Sequence, residues 1–237
     1  MALSGPPLGD PVDFRPVRAP GRGALCGRYL LVRPLDAERD AAALYAASHP
    51  DDGDRAVWTY LPDGPYADLD AMREDLARQQ RSEDPLFFTL CPRLEEQPGG
   101  VASYLRITPT FGVIEIGHIW LGTEMQRTTA ATEAIYLLAR HAFDDLGYRR
   151  LEWKCNALNA ASRRAAVRFG FIFEGVFRQH MVVKGHNRDT AWYALIDSGW
   201  PVVRAGFEAW LDPANFDAAG RQRRTLEELR TGLEGRA

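Results

Sequence analysis

The sequence contains little cysteine, and its few cysteines and histidines are scattered along the chain. Neither the three cysteines nor the five histidines show metal-ligand spacing, so a zinc site, metal catalysis and a disulfide scaffold are disfavoured. No apolar run approaches the roughly 20 residues that a membrane span needs. The first residues also lack the basic and apolar regions of a secretory signal. These absences predict a cytoplasmic protein with no metal and no membrane contact.

An excess of charge of one sign is also lacking, because 29 basic residues face 32 acidic ones, which gives a formal net charge of −3. Lys154 and Lys184 are the only lysines, and all other basic residues are arginines. Arginine can indicate phosphate recognition, but the arginines are spread along the whole chain, which favours a coding bias. A nucleic-acid partner is therefore not expected. Hydrophobic residues make up 46% of the 237 residues, which is enough for one large domain, alone or with appendages.

Hydrophobic periodicity predicts an α/β protein with a partly antiparallel sheet. The predicted strands are Leu25–Pro34, Leu86–Cys91, Val101–Ile107, Val113–Leu121, Leu151–Asn156, Phe171–Val183 and Thr190–Ile196. The predicted helices begin near Asp36 and Asp68, span Thr132–Leu146 and Ala160–Phe169, and continue from Pro201 to the end. A polar turn, Lys184–Asn187, joins the last two strands. We expect an extended arm over residues 1–24, a domain over 25–198 and a helical tail over 199–237.

The strand Val113–Leu121 carries a glutamate among apolar residues. Alternation places Glu115 on the face opposite Ile114 and Ile116, and places His118 on the face opposite Glu115. A buried carboxylate is costly unless it is paired or functional, and burial in general raises the pKa of a carboxyl group. Glu115 is therefore a candidate general base, with an ion pair to an arginine as the alternative. For His118 we expect a hydrogen-bonded position in the core.

The turn after this strand leads directly into the strongest predicted helix. It reads Gly122-Thr123-Glu124-Met125-Gln126-Arg127-Thr128-Thr129-Ala130-Ala131. Free backbone N–H groups and the helix dipole favour a phosphate at such a helix start, and the small side chains let a pyrophosphate approach the backbone. The alternative is an ordinary turn that Thr128 or Thr129 caps.

This turn resembles the pyrophosphate loop of the GCN5-related N-acetyltransferases (the GNAT family), which reads Gln/Arg-x-x-Gly-x-Gly/Ala. Gln126 and Ala131 match its first and last positions, whereas Thr129 stands where the family usually has glycine. A later pattern is similar to the branch that acetylates the N-termini of ribosomal proteins. Its residues here are Asn159, Ser162, Gly170-Phe171 and Glu174-Gly175.

The resemblance implies a GNAT-like mixed, mostly antiparallel twisted sheet of six or seven strands flanked by helices. It also implies an N-acetyltransferase that moves acetyl from the co-substrate acetyl-CoA to a primary amine, by direct attack in a ternary complex. The loop would hold the pyrophosphate through Gln126, Arg127, Thr128, Thr129, Ala130 and Ala131. The preceding strand would hold the pantetheine through Ile119, Trp120 and Leu121, with the N–H of Ile119 as the oxyanion donor.

Three further residues receive roles from the same resemblance. Ser162 aligns with a serine that lies near the departing thiolate and can protonate it, and a helix-start role is its alternative. Asn159 is expected to contact the CoA arm, to cap its helix, or to do both. Met181 stands where the ribosomal branch has a glutamate, which argues against a simple transfer of that branch's base and substrate. Glu115 is therefore the predicted base, acting through water.

The amine acceptor is expected to be a protein N-terminus or a small molecule. A loop rich in aromatic residues, the aromatic loop Asp51–Tyr66, falls where the family builds its acceptor pocket, and attachment of this loop to the core is the alternative. The pocket would be lined by Trp58, Tyr60, Tyr66, Trp153, Phe177 and Trp192.

Two alternatives concern the whole chain. One is a CoA-binding module without catalysis, which Thr129 and Met181 favour, and the other is a phosphate-binding α/β domain of another kind. The tail places Leu226, Leu229 and Leu233 on one stripe, which packs either on the sheet or on a second subunit in a homodimer.

Overall fold

A sheet of eight strands forms the centre of the structure. The computed structural model describes residues 6–50, 53–93 and 97–234, and the side chain of Leu233 lies outside this description. The strands are β1 (Leu25–Cys26), β2 (Leu30–Pro34), β3 (Leu86–Pro92), β4 (Gly100–Thr108), β5 (Val113–Leu121), β6 (Arg150–Asn156), β7 (Ile172–Val183) and β8 (His186–Ile196). Their order is β1-β2-β3-β4-β5-β6-β8-β7, and β5–β6 is the one parallel pair among these described strands. The predicted mixed, mostly antiparallel fold is confirmed, with eight strands instead of six or seven.

The helices lie at the predicted places in the chain. The described α-helices are α1 (Ala37–Ser48), α2 (Leu69–Arg81), α3 (Thr129–Arg140), α4 (Ala160–Arg168), α5 (Trp200–Leu211) and α6 (Leu226–Glu234). Asp36 and Asp68 cap α1 and α2, because their carboxylates accept backbone N–H groups of the first turn.

The extents of two predicted helical segments are wrong. α3 begins at Thr129, earlier than predicted, because the Thr128 hydroxyl accepts the N–H of Ala131 and caps the helix there. Its α-helical hydrogen bonds end at Arg140, and His141–Asp145 continue as a π-helical turn. The tail is not continuously helical, because the amide of Asn215 bonds to carbonyl groups on both sides of a loop between α5 and α6.

The predicted first strand, Leu25–Pro34, is divided into β1 and β2. The carboxylate of Glu133 on α3 lies against the break, and it is almost fully buried. It accepts three backbone N–H groups at 2.8, 2.6 and 2.8 Å, those of Arg28, Tyr29 and Leu30. These donors point toward one carboxylate, so they interrupt the strand and attach it to α3.

The hairpin between β7 and β8 is tighter than predicted. Lys184 and Gly185 both have positive φ angles, 49° and 77°, as a two-residue type I′ turn requires. β8 therefore begins at His186 instead of Thr190. The hairpin is also irregular, since Phe177 pairs with Thr190 whereas Met181 pairs with Arg188, which leaves extra residues on β7.

Apolar side chains cover the two faces of the sheet with different helices. One face packs against α3 and α5, and Ile114 and Ile116 of β5 lie in this main core with Phe207. The other face packs against α1 and α2 over the first half of the sheet, where Phe87 and Trp120 belong to a second cluster. We call this second side the acceptor face, because Trp58 of the predicted acceptor pocket lies in its cluster.

The N-terminal arm and the tail both contact the rest of the chain. In the arm, the ring of Phe14 lies where a side chain on Gly112 would be, and the N–H of Val17 donates to the carbonyl of Pro109. In the tail, Phe207 and Leu226 lie in the main core, so the predicted stripe packs inward there. Residues 1–5 of the arm lie outside the described residues, and the division into arm, domain and tail stays a prediction.

Glu133→Gln tests the attachment of the first strands to α3. We expect the free energy of unfolding to fall by about 2–3 kcal/mol, because hydrogen bonds to a buried charged group are lost and an amide then faces N–H donors. Urea unfolding measures the change. Glu74→Gln, at an exposed position of α2 with no partner among the described residues, is the matched control and should shift stability by less than about 0.5 kcal/mol. Equal effects of the two substitutions would contradict this role of Glu133.

Candidate active site

A gap opens between the parallel strands β5 and β6. The two strands pair over three residues only, Val113–Glu115 against Arg150–Glu152. Beyond Glu115, β5 continues toward the loop that precedes α3, while β6 remains paired with β8. The backbone of β5 from Ile116 to Leu121 therefore borders an opening that no strand fills. A slot of this kind can receive an extended ligand between the strands.

A β-bulge lies on β5 at this opening. Val101 of β4 pairs with Trp120 and Ser103 pairs with Gly117, so two residues, His118 and Ile119, stand opposite one. His118 has a φ angle of 47°, the left-handed conformation that permits the bulge.

The bulge changes the face to which His118 belongs. Alternation along β5 predicts that His118 points away from Glu115, and this prediction is wrong. The His118 ring lies near Ser103 and Phe87 on the acceptor face, which is also the face of Glu115, because Ile114 and Ile116 occupy the opposite side. One inserted residue reverses the alternation, so both titratable groups share one face.

Glu115 is buried in a network of charges. Its Oε2 atom lies 2.7 Å from a guanidinium nitrogen of Arg106 and 2.9 Å from Nζ of Lys154. The Lys154 ammonium, 3% exposed, also lies 2.6 Å from Glu152. The structure thus contains the ion pair that the sequence left as the alternative for Glu115. The other carboxylate oxygen of Glu115, Oε1, lies near Gly117.

The charge network continues along β6 to Arg150. Arg150 of β6 bonds to Glu152 and to Glu174, and these bonds raise the pKa of its guanidinium while lowering the pKa of the Glu174 carboxyl. Three carboxylates and three cations are therefore joined at the paired ends of β5 and β6. They are Glu115, Glu152, Glu174, Arg106, Arg150 and Lys154.

The predicted phosphate loop lies at the start of α3. Thr128 is the N-cap, and Thr129 and Ala130 begin the helix, so their N–H groups have no carbonyl one turn back to receive them. Gln126 and Arg127 are exposed, and Arg127 has a φ angle of 62°. The side chains of Ala130 and Ala131 are buried against the core, so they do not cover the backbone N–H groups on the outer side of this helix start.

The residues predicted at the thiol end lie at the start of α4. The Asn159 side chain accepts the N–H of Ser162 at 3.0 Å and caps the helix, as one of the two predicted roles requires. The Ser162 hydroxyl accepts the indole N–H of Trp153 at 3.0 Å. Because the Ser162 oxygen accepts from the indole, its hydroxyl hydrogen can be donated to another group. The Cys155 thiol lies close to it, and burial raises the pKa of that thiol.

The aromatic loop is attached to the core and also spans the opening. Trp58 is 3% exposed and its ring lies 5.3 Å from that of Trp120 and 5.2 Å from that of Tyr66. The Trp58 carbonyl accepts a hydrogen bond from Lys184 at the tip of the β7–β8 hairpin. The Tyr60 hydroxyl donates to the carbonyl of Leu158 after β6. The described part of the loop therefore contacts both the β7–β8 hairpin and the segment after β6. Asp51 and Asp52 lie outside the described residues.

The predicted acceptor pocket is only partly assembled. Trp153 points to the other side of the sheet, where its ring packs against Phe169 and Phe171, so its assignment to the pocket is wrong. Phe177 and Trp192 stack at 4.4 Å on the acceptor face, and the Lys154 ammonium lies 3.8 Å from the centre of the Trp192 ring.

Several site residues were missed by the sequence analysis. Ser103, Arg106 and Arg188 join Glu115 and His118 only through strand register and the bulge. One sequence signal could have indicated this charge network. Lys154 lies between apolar residues in a predicted strand, and a buried ammonium needs a buried acidic partner.

A helix start with free N–H groups beside a gap between two parallel strands is the arrangement that the resemblance to acyltransferases using CoA thioesters predicts. The model of the family described as "Acetyltransferase (GNAT) domain" matches residues 29–172, which is more than half of the chain. The chain therefore belongs to the GNAT family, and it is an acyltransferase.

Similar proteins agree with this assignment. A crystal structure of a GCN5-related N-acetyltransferase from Brucella melitensis is 46% identical, has a TM-score of 0.90, and covers 92% of this chain and 99% of its own. YdaF of Bacillus subtilis, named as a candidate ribosomal N-acetyltransferase, is 27% identical over 72% of this chain and 91% of its own length. A ribosomal-protein-serine acetyltransferase of Escherichia coli is 34% identical over 44% of this chain and 58% of its own length.

No described helix is long and apolar enough to cross a bilayer. In the same residues, no group of three or more histidine, cysteine, aspartate or glutamate side chains could hold a metal ion.

Proposed function

We propose that the enzyme transfers the acetyl group of acetyl-CoA to a primary amine by direct attack, in a ternary complex. The observation that carries this proposal is the gap between β5 and β6, bordered by a β-bulge and ending at the helix start of α3. Such a slot suits an extended thioester whose diphosphate binds at one end and whose acetyl carbonyl reaches the bulge. GNAT acetyltransferases use acetyl-CoA as co-substrate, which supports the same choice.

The phosphate loop would bind the pyrophosphate through backbone groups. The N–H groups of Thr129 and Ala130 lack helical acceptors, and the dipole of α3 adds positive potential at the same place. Exposed Gln126 and Arg127 stand beside them. Thr129 keeps its N–H in the position of the usual glycine and adds a hydroxyl. The pantetheine would lie along the backbone of Ile119, Trp120 and Leu121.

Two groups would stabilise charge during the transfer. The N–H of Ile119, in the bulge, would donate to the carbonyl oxygen as negative charge develops on it. Ser162 would donate its hydroxyl hydrogen to the departing thiolate, since its oxygen already accepts from Trp153. Asn159 would position Ser162 through the cap of α4.

Glu115 stays a predicted base, acting through water. Its Oε2 atom already accepts from Arg106 and Lys154, so only Oε1 is open for a proton. The acceptor is a primary amine on a protein N-terminus or a small molecule. Ribosomal-protein N-termini should be tested first, because two similar proteins carry names that specify ribosomal proteins or ribosomal acetylation.

Calorimetric titration with acetyl-CoA, CoA and ATP tests the co-substrate. We expect acetyl-CoA and CoA to bind tighter than ATP, because the gap contacts the pantetheine that ATP lacks. Thiol release is then measured with N-terminal peptides and with small amines. Equal affinity for all three ligands would overturn the acetyl-CoA assignment, and selective binding without turnover on any amine would favour a non-catalytic CoA-binding module.

Glu115→Gln tests the predicted base. A rate of acetyl transfer lower by about 10²-fold or more, with CoA affinity retained, would support Glu115 as the base, because Glu115 lies outside the phosphate loop. Glu74→Gln is the control for changes in expression and stability. An unchanged rate and an unchanged pH profile would remove Glu115 from the mechanism.

A further inference from the structure

We propose that Nε2 of His118 accepts the proton that the acceptor amine loses during acetyl transfer. This assignment rests on the proposed function, and it places the proton on a residue of the bulge instead of on Glu115. Four observations support it: the tautomer of the ring, its position, the charges around it, and the ion pairs that Glu115 already makes with Arg106 and Lys154.

Ser103 determines the tautomer of His118. Its hydroxyl donates to the carbonyl of Gly117 at 3.1 Å, so its oxygen can only accept from the imidazole, whose Nδ1 lies 3.2 Å away. Nδ1 therefore carries the hydrogen, and Nε2 carries a lone pair. Among the described residues, Nε2 has no hydrogen-bond partner. A fixed tautomer with an open basic nitrogen is what a general base needs.

The position of the ring suits this role. His118 is next to Ile119 in the bulge, so the proton acceptor and the proposed oxyanion donor are consecutive residues. The ring lines a small cavity together with Trp58, Asp63 and Trp120. An amine that reaches the acetyl carbon from the acceptor face would thus arrive beside Nε2.

The surroundings keep the imidazole neutral at physiological pH. Burial lowers the pKa of His118, and the positive charges of Arg106 on β4 and Arg188 on β8 lower it further, whereas Asp63 in the aromatic loop raises it. The ring is therefore protonated only below its usual pKa of about 6.5. The basic form predominates at pH 7, and activity should be lost as the pH falls through this lowered pKa.

The proton balance follows from these positions. His118 takes a proton from the ammonium form of the acceptor, and the free amine attacks the acetyl carbon to form the C–N bond. The C–S bond then breaks, the thiolate gains the hydroxyl proton of Ser162, and the second proton of the nitrogen passes to the Ser162 oxygen and restores its hydroxyl. The products are the acetylated amine, CoA thiol and one proton released to solvent from His118. By contrast, Oε2 of Glu115 already accepts from two cations.

His118→Gln tests the proposal. We expect kcat/KM for a peptide or amine that the wild type acetylates to fall by about 10²–10⁴-fold, and the loss of activity at low pH to disappear from the profile. Ser103→Ala should give a smaller fall and keep the low-pH limb, because the ring remains but its tautomer is no longer held. His186→Gln, at an exposed position of the hairpin, is the matched control.

The outcomes separate this proposal from the proposed function. Retained rate with an unchanged low-pH limb in His118→Gln would overturn the role of His118, as would disappearance of that limb in Glu115→Gln alone. If the wild type binds no acetyl-CoA in the titration, the proposed function itself fails. Acetyl-CoA affinity should be the same in His118→Gln and the wild type, so a change confined to turnover supports the assignment.

A second inference comes from Arg188, which stands outside the balanced charge network of three carboxylates and three cations. The one hydrogen bond of its side chain within the described residues is a contact of 3.3 Å from Nε to the Thr190 hydroxyl. The side chain is half-buried, and this burial lowers the pKa of its guanidinium. Trp192, on the same face of β8, has a buried indole N–H that finds no acceptor among the described residues. Donors that lose water without gaining an acceptor indicate a ligand.

The geometry points to an acceptor amine that carries a carboxylate, which the guanidinium of Arg188 binds. Arg188 lies on the acceptor face, and its charge acts on both His118 and Glu115. A planar guanidinium can hold a carboxylate through two parallel hydrogen bonds. The carboxylate belongs either to a free amino acid or to an acidic side chain near a peptide N-terminus.

Matched acceptors distinguish these sources. One set contains amino acids and their amides, and the other contains N-terminal serine peptides with Asp or Asn at the second to fourth position. We expect the wild type to prefer the anionic members of one set, and Arg188→Gln to raise KM for them by at least about 10-fold with little change in kcat. Arg178→Gln, an exposed arginine of the same hairpin, is the control. No preference in either set, or a preference retained in Arg188→Gln, would overturn the inference.

Discussion

The buried ammonium of Lys154 joins the two strands whose separation creates the site. It lies 2.9 Å from Glu115 on β5 and 2.6 Å from Glu152 on β6, which are the last residues that the two strands pair. Removal of one partner from a buried ion pair typically costs about 3–5 kcal/mol. The strands are thus attached firmly at one end, and they can separate beyond it without losing their positions in the sheet.

The bulge at His118 and Ile119 gives the open part of β5 its chemistry. It directs the His118 side chain toward the acceptor face, while Ile119 packs on the main core and leaves its backbone at the gap. The aromatic loop and the β7–β8 hairpin then meet over the acceptor face through the bond from Lys184 to the Trp58 carbonyl. The helix start of α3 lies on the opposite side of the same sheet, with the main core.

Local signals predicted much of the fold. Periodicity located the helices and strands, the turn before α3 indicated its capped start, and alternation placed Glu115 opposite Ile114 and Ile116. The predictions that failed depend on distant contacts. The carboxylate of Glu133 divides the first predicted strand, and the bulge on β5 reverses the expected side of His118. Trp153 was grouped with the acceptor aromatics although β6 turns it toward α4.

The amino-acid sequence carried the element order, the capped turn before α3 and the family resemblance, because these depend on neighbours within one turn or one strand. Tertiary structure alone decided which charged groups meet. The pairing of Glu115 with Lys154 depends on the parallel register of β5 and β6, and the neighbourhood of His118, Ser103 and Arg188 depends on a bulge and on three strands far apart in the chain. Strand register and an inserted residue leave no periodic trace in the sequence, so the chemistry of the acceptor face became visible only in the folded chain.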